Sequence, residues 1–209
     1  MSYGISVVVP TIGRSSLAAT LRSLAPQVTE LDEVHVLFDG PEHDDRWHIS
    51  PSWTRGFLEV LPCDSSVTTN QTPLEGWGHP LRNYALDMLV TRTRVMTMDD
   101  DDVYTDGAFD AIRAELDAHP PAVHVFGCRW GPGHPAAGVV LPRGRGLMMG
   151  EIATPMVVAP SSLARYGDAY DGDWTYAQNL AAIFPADGWV WHDHVICEVR
   201  PMREGVAAS

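Results

Sequence analysis

Apolar residues along the chain follow two spacings in turn, one typical of buried strands and one typical of helices. The run ISVVVP at residues 5–10 is continuous and rich in β-branched side chains, which predicts a strand buried on both faces of a parallel sheet. In the next segment, Leu17, Leu21 and Leu24 recur at helical spacing, and Pro26 marks the end of the predicted helix. The chain therefore opens with a strand–helix unit.

The same alternation continues through the rest of the chain. Further strands are predicted at residues 32–40, 56–62, 94–98, 122–130, 137–142 and 188–199, and further helices at residues 80–90, 105–120, 161–167 and 173–184. Strands that alternate with helices through short connections are typical of the α/β class. We therefore predict a single Rossmann-like domain over residues 1–209, with a mostly parallel central sheet flanked by helices.

Acidic residues directly follow two of the predicted strands. Asp39 lies at the end of the strand at residues 32–40, and four consecutive aspartates at residues 99–102 follow the strand at residues 94–98. Right-handed crossovers place the carboxyl ends of parallel strands along one edge, where open α/β sheets bind ligands. Asp39 and the aspartate run are therefore predicted to line one crevice.

The aspartate run needs either full exposure to water or a source of positive charge, because closely spaced like charges repel. Carboxylate oxygens held in a crevice suit a divalent cation such as Mg²⁺ or Mn²⁺. The alternative is a solvated acidic turn, in which Asp102 and Asp106 favour the start of the next helix through its dipole. The buried strand that leads into the run favours the metal site.

The charge composition narrows the function classes. The net charge is −13, and all 14 residues counted as lysine or arginine are arginine. Without lysine, Schiff-base chemistry and a P-loop phosphate site are excluded. General nucleic-acid binding is not expected either, because an acidic chain has few cations to replace the counterions of a polyanion. Phosphate groups must therefore be bound through a metal ion or a few well-placed arginines.

Other sequence features bear on the cellular location. The amino-terminal apolar run is too short for a signal-peptide core, and nowhere do about eighteen apolar residues run together. The three cysteines, Cys63, Cys128 and Cys197, are odd in number and lack paired metal-ligand spacing, which argues against a disulfide framework and a zinc site. We expect a cytoplasmic protein with no membrane span.

Five segments, in order along the chain, resemble the family-2 glycosyltransferases of the GT-A fold. They are ISVVVPTIGR, VHVLFDG, GHPLRNYALD, VMTMDDDDVYTDGAFDAI and YDGDWTYAQNL. The resemblance covers most of the chain. It implies a nucleotide-sugar-binding half at residues 1–120, an acceptor-side half at residues 121–200 and a polar tail at residues 201–209.

The resemblance implies contacts with a nucleotide-diphosphate sugar. Pro10 and Thr11 belong to the turn that is expected to bind the nucleotide, and Asp39 is expected to contact the base. Arg82 is expected to contact the phosphates, and Asp99 the ribose or the metal ion. A uridine nucleotide is the expected carrier.

The metal ligands are implied by the family's Asp-X-Asp segment. Asp99 and Asp101 align with its two carboxylates and are expected to hold Mn²⁺ or Mg²⁺. His194 is expected as a further ligand by likeness to late histidine ligands in some GT-A enzymes, with His192 as the alternative.

The catalytic base is implied by the family's late Glu-Asp-Trp element. Asp173 takes the position of the base, and Gly172 stands where the family has glutamate. Asp171 remains a competitor for the role. If a metal ion stabilises the departing diphosphate, the only further role for a carboxylate is to deprotonate the acceptor hydroxyl. A single base of this kind implies inversion at the anomeric carbon.

The sequence thus predicts a metal-dependent inverting glycosyltransferase that moves a sugar to the hydroxyl of a protein, a glycan or a small molecule. A homodimer is one assembly that the sequence leaves open. A nucleotidyltransferase acting on a sugar phosphate is one alternative, although PTIGR is a poor version of its glycine-rich, basic turn. A non-catalytic metal- or nucleotide-binding module is the other, and EF-hand spacing is absent around Asp99.

Overall fold

The computed structural model describes residues 3–41, 48–74, 78–132, 134–161 and 164–199, which form strands and helices in alternation. The strands are β1 (Ile5–Thr11), β2 (Glu33–Phe38), β3 (Asp64–Thr69), β4 (Arg94–Thr97), β5 (Val103–Tyr104), β6 (Val123–Trp130), β7 (Val140–Leu141), β8 (Val157–Pro160) and β9 (Trp189–Val199). The helices are α1 (Leu17–Leu24), α2 (Pro51–Leu58), α3 (His79–Met88), α4 (Ala108–Ala118) and α5 (Gly172–Ile183), with short 3-10 turns at Thr154–Met156 and Ala186–Gly188.

The strands form a curled sheet in the order β3-β2-β1-β4-β8-β6-β9-β5, with β7 paired to β6. The first four strands in this order are parallel to one another, β8 is antiparallel to both neighbours, and β9 is parallel to β6. The α/β class predicted from the sequence is confirmed. Among the described residues, no helix has the length and apolarity needed to cross a lipid bilayer.

The register of the parallel strands determines which residues meet at the carboxyl edge. Thr11 pairs with Phe38, so the residue after β2, Asp39, lies beside the end of β1. On the other side of β1, Val8 pairs with Thr97, which brings the residues after β4 to the same edge. This register brings Asp39 and the aspartate run to one edge of the sheet, and the crevice between them stays a prediction.

The core explains why these elements form. Every residue of β1 is buried, as its continuous apolar pattern predicts for a strand covered on both faces. Leu17, Leu21 and Leu24 of α1 are buried on one face of their helix. The sheet therefore holds the carboxyl edge on a rigid base, which is what a precise binding site requires.

Two predicted elements are wrong. Residues 56–62 are not a strand: α2 ends at Leu58, and the third strand is Asp64–Thr69. Ser50 caps α2, because its hydroxyl accepts the Trp53 amide at 3.2 Å. Residues 164–167 are not helical, whereas Ser162 and Leu163 of the same predicted helix lie outside the described residues.

A buried carboxylate joins the starts of the parallel strands at the edge opposite the crevice. Glu33 is 2% exposed and accepts hydrogen bonds from Ser6 Oγ at 2.5 Å and from the Thr91 amide and hydroxyl at 2.6 Å each. Burial alone would raise the pKa of Glu33, but the donors on Ser6 and Thr91 outweigh it and lower the pKa to about 2.

Stability should therefore depend on pH through Glu33. Because its folded pKa lies below the ordinary value of 4.5, its contribution is fully present above pH 4.5 and is lost as the pH falls toward 2. In urea unfolding, wild type should lose more stability between pH 6 and pH 3 than Glu33→Gln does. The exposed Glu30→Gln variant is the control and should follow wild type; parallel losses in all three proteins would contradict this role of Glu33.

Candidate functional site at the carboxyl edge of the sheet

Three aspartates after β4 form a compact acidic cluster. Asp99, Asp101 and Asp102 each offer a carboxylate oxygen, and these oxygens lie within 4.8 Å of one another. The Asp102 residue is 1% exposed, whereas the side chains of Asp99 and Asp101 are 37% and 22% exposed. Such close carboxylates repel unless cations lie nearby. The cluster is therefore a site that attracts positive charge, open on the side of Asp99 and Asp101.

Asp100 is not one of these three aspartates and joins the aspartate run to the turn after β1. Its carboxylate accepts hydrogen bonds from Thr11 Oγ1 at 2.5 Å and from Arg14 at 2.9 Å. Burial raises the pKa of Asp100 to about 6, although Arg14 and Thr11 act in the opposite direction. Asp100 thus fixes the position of the β1 turn relative to the end of β4.

Arg14 belongs to the site but was not predicted from the sequence. Its guanidinium contacts Asp100 at 2.9 Å and Asp101 at 3.4 Å. The signal was present in PTIGR, where Arg14 is the first cation of a lysine-free chain and follows a strand end. Its partners could not be read from the sequence, because they lie 86 residues further along the chain.

Arg82 supplies the second cation. It lies on α3, is 2% exposed, and forms an ion pair with Asp99. Burial alone would lower the pKa of Arg82, but the carboxylates of Asp99 and Asp173 raise it. The guanidinium therefore interacts electrostatically with both the acidic cluster and the predicted base. Its predicted contact with phosphates stays a prediction.

The asparagine next to Arg82 explains why residues 164–167 are not helical. Asn83 Oδ1 accepts the Tyr166 amide at 2.8 Å, and Asn83 Nδ2 donates to the Tyr166 carbonyl at 3.0 Å. The Tyr166 hydroxyl lies 2.6 Å from Thr97 Oγ1, and its ring stacks on Tyr176 of α5 at 4.2 Å between centroids. Asn83 and Tyr166 thus connect α3, β4 and α5, which places the first turn of α5 beside Arg82.

The predicted nucleotide-binding residues lie on the first two strands. The Thr11 hydroxyl donates to Asp100 and accepts the Gly13 amide at 2.8 Å, so it makes its hydrogen bonds within the protein. Pro10 is buried at the end of β1. Asp39 Oδ1 accepts the Leu74 amide at 2.7 Å. The structure brings Pro10, Thr11 and Asp39 to one edge, and their contacts with a nucleotide stay predictions.

The predicted base lies in the first turn of α5. Asp173 is half-buried, and its Oδ1 atom is buried without a hydrogen-bond partner in the part of the chain that the structure describes. Its competitor, Asp171, occupies the N-cap position and makes no side-chain capping bond. The negative charge of Asp173 acts on both Arg82 and His79. Asp173 therefore faces α3, next to the residues that contact the acidic cluster.

The two histidines of β9 occupy different environments. The pairing of β9 with β6 shifts register here; the side chain of His192 is 6% exposed, whereas His194 is exposed. The His192 ring lies 4.4 Å from the Phe126 ring, and its Nε2 atom lies 3.0 Å from His124 Nδ1. His192 therefore packs against β6. The cluster of three aspartates does not include His194, whose role as a ligand stays a prediction.

Comparison with known proteins identifies solved structures with a similar fold. No protein-family model and no curated protein matches the sequence. A crystal structure of S. aureus TarS is 19% identical over 94% of this chain and 36% of TarS, with a TM-score of 0.70. TarS 1–349 in complex with UDP-GlcNAc is 20% identical over 97% of this chain and 60% of that one, with a TM-score of 0.68. TarS 1–349 in complex with UDP is 19% identical over 94% of this chain and 60% of that one, with a TM-score of 0.69.

The chain thus spans 36% to 60% of the length of these structures. At this level of identity the likeness concerns the course of the backbone. The order of the motifs predicted the same architecture from the sequence. The chain shares its GT-A fold with these TarS structures.

Proposed function

We propose that this protein is a glycosyltransferase that transfers a sugar from a UDP-sugar to an acceptor hydroxyl. The observation that carries the proposal is the acidic cluster at the carboxyl edge, with Arg82 in contact with Asp99 and under the influence of Asp173. One buried arginine, Arg82, thus interacts with the candidate cation site through Asp99 and with the candidate base, Asp173. The complexes of TarS 1–349 with UDP-GlcNAc and UDP, which share the fold, support UDP-GlcNAc as the first donor to test.

The residues of the cluster fit a hard divalent cation. Mg²⁺ and Mn²⁺ prefer carboxylate oxygens, and Asp99, Asp101 and Asp102 offer three of them within 4.8 Å of one another. We propose that Asp99 and Asp101 hold the ion on the open side of the cluster. A divalent cation bound there supplies a Lewis acid that neutralises charge on the departing diphosphate.

The charge balance of the site supports a divalent ion. The four aspartates at residues 99–102 are faced by the guanidinium groups of Arg14 and Arg82. Among these six described groups the carboxylates outnumber the guanidinium groups. Crowded carboxylates repel an anionic diphosphate, whereas a divalent cation bound between them would attract it.

Asp173 is the proposed base. Its carboxylate accepts the proton of the acceptor hydroxyl as the hydroxyl oxygen attacks the anomeric carbon from the face opposite the diphosphate. No second carboxylic acid is needed to protonate the leaving group, in contrast to glycoside hydrolysis. The product is therefore expected to have the anomeric configuration opposite to that of the donor.

Calorimetric titration tests the proposal. UDP-GlcNAc should bind in the presence of Mn²⁺ and lose most of its affinity when EDTA removes the ion. A panel of UDP-sugars with hydroxyl acceptors should then release UDP, and proton NMR of the product should show the inverted configuration. Preference for a nucleoside triphosphate and a sugar phosphate would instead identify a nucleotidyltransferase. Metal binding without nucleotide binding would identify a non-catalytic module. Either result overturns the proposal.

A further inference from the structure

His79 lies beneath the first turn of α5, where it fills the space beside Gly172. The histidine is 3% exposed and stacks on the Tyr166 ring, with centroids 5.4 Å apart. A Cβ atom added to Gly172 would lie 2.4 Å from both Nε2 and Cδ2 of His79, closer than real Cβ contacts allow. The imidazole thus occupies the place that a side chain at position 172 would take, and its Nε2 edge faces the backbone that carries Asp173.

The contact with Arg82 determines where the imidazole proton lies. His79 Nδ1 is 3.1 Å from Arg82 Nη1. A guanidinium can only donate hydrogen bonds, so Nδ1 must accept. A neutral His79 consequently carries its proton on Nε2.

Burial and the positive charge of Arg82 keep the His79 ring neutral near pH 7. Burial lowers the pKa of His79 and Arg82 lowers it further, whereas Asp173, Asp99 and Asp168 act in the opposite direction without reversing the shift. Tyr166, whose ring stacks on the imidazole, is a further titratable neighbour among the residues that the structure describes. A neutral ring with its proton on Nε2 is therefore the form present under working conditions.

Two buried polar atoms near this point have complementary roles. His79 Nε2 is a donor and Asp173 Oδ1 is an acceptor, and both are buried without a hydrogen-bond partner in the described ranges. Buried polar groups in folded proteins are nearly always paired, because leaving a donor and an acceptor unpaired is costly. The charge of Asp173 opposes the lowering of the His79 pKa without reversing it. The two atoms are not hydrogen-bonded to each other in the structure. Because His79 Nε2 lies against the backbone at Gly172, a rotation of the adjacent Asp173 side chain is the movement that would join them.

We propose that His79 is a positioning residue for Asp173: its Nε2–H group donates a hydrogen bond to Asp173 Oδ1 and leaves Oδ2 directed toward the acceptor hydroxyl. The role in transfer rests on the proposed function, whereas the hydrogen bond itself does not. It also gives a physical reason for Gly172, since any side chain there would displace the imidazole from the carboxylate. Arg82 fixes the donor tautomer, so the ion pair with Asp99 and the orientation of the base are linked through one arginine.

Two substitutions at position 79 separate the contact with Asp173 from the contact with Arg82. An asparagine can place its amide oxygen near the position of Nδ1 and keep the acceptor for Arg82, but it has no donor at the position of Nε2. A glutamine can place an amide donor near the position of Nε2. Comparing His79→Asn with His79→Gln therefore tests which contact matters.

If His79 positions Asp173, His79→Asn should lower kcat by about 10- to 100-fold, the effect of losing a hydrogen bond to a charged group. The KM for UDP-GlcNAc should stay within about threefold of wild type, because the substitution does not remove a contact with the donor. His79→Gln should retain most of kcat. An asparagine variant as active as wild type, or a glutamine variant as impaired as asparagine, overturns the assignment.

NMR of the ¹⁵N-labelled imidazole gives a readout that needs no activity. Wild-type protein should show the Nε2–H tautomer of His79, with a proton signal that shifts upfield or is lost by exchange in Asp173→Asn. A Nδ1–H tautomer, or an Nε2–H signal unchanged by Asp173→Asn, overturns the hydrogen bond. If this signal behaves as expected while no UDP-sugar is turned over, the proposed function fails and the contact stands.

Discussion

Replacing Asp101 by alanine is expected to weaken binding of UDP-GlcNAc in the presence of Mn²⁺ by at least about 100-fold. Substitutions in the shell around a metal ion already cost about 10- to 100-fold in metal affinity, and the loss of a direct ligand should cost no less. Asp101 is partly exposed on the open side of the cluster, where its carboxylate contacts Arg14 at 3.4 Å. Isothermal titration of wild type and variant, with and without Mn²⁺, measures the effect.

The stability of the variant separates a binding defect from misfolding. Removing one of several crowded carboxylates relieves repulsion, so the melting temperature of metal-free Asp101→Ala should equal or exceed that of wild type. Asp106→Ala is the matched control, because Asp106 is exposed and lies outside the cluster of three aspartates. Equal affinity of Asp101→Ala and Asp106→Ala for the donor would place the metal site elsewhere.

Asp173→Asn is expected to lower the rate of sugar transfer by about 10²- to 10⁴-fold while donor affinity stays within about threefold of wild type. General base catalysis contributes rate enhancements of this size, and an amide preserves the shape of the side chain without accepting the proton. Rapid-quench measurement of a single turnover, with donor saturating, reports the chemical step separately from binding.

Asp171→Asn is the control for this prediction, because Asp171 is the other carboxylate at the start of α5. It should retain transfer within about threefold of wild type. A loss of transfer in Asp171→Asn with full activity in Asp173→Asn would assign the base to Asp171. A parallel loss of donor binding in Asp173→Asn would show that Asp173 belongs to the donor site.

Local patterns in the sequence were sufficient to predict the strands at whose ends the candidate site lies. The continuous apolar run at residues 5–10 became β1, and the aspartates follow β4 at the edge that the parallel strands share. The prediction of a strand at residues 56–62 was wrong. Val60 is a residue type that favours strands, but here it lies just after α2 and is 79% exposed. The true edge strand, Asp64–Thr69, is polar and only half-buried, so it carries a weak apolar signal.

Contacts between distant segments could not be predicted from the sequence. Asn83 holds Tyr166 across 83 residues, and this pairing overrides the helical tendency of residues 164–167. Gly172 looked like a departure from the family motif, whereas the structure shows the His79 ring in the space beside it. The burial of the Asp100 carboxylate could not be predicted from the sequence either, because it depends on hydrogen bonds from the distant residues Thr11 and Arg14.

We propose that Asp99 and Asp101 bind a divalent cation that would also contact the diphosphate of the donor. Crystals grown with Mn²⁺ and UDP, measured at the manganese absorption edge, are the decisive test. We expect one anomalous peak bonded to carboxylate oxygens of Asp99 or Asp101 and to the diphosphate, with Asp173 facing the same site. A manganese peak at another position, with UDP bound and these carboxylates in contact only with solvent, would contradict it.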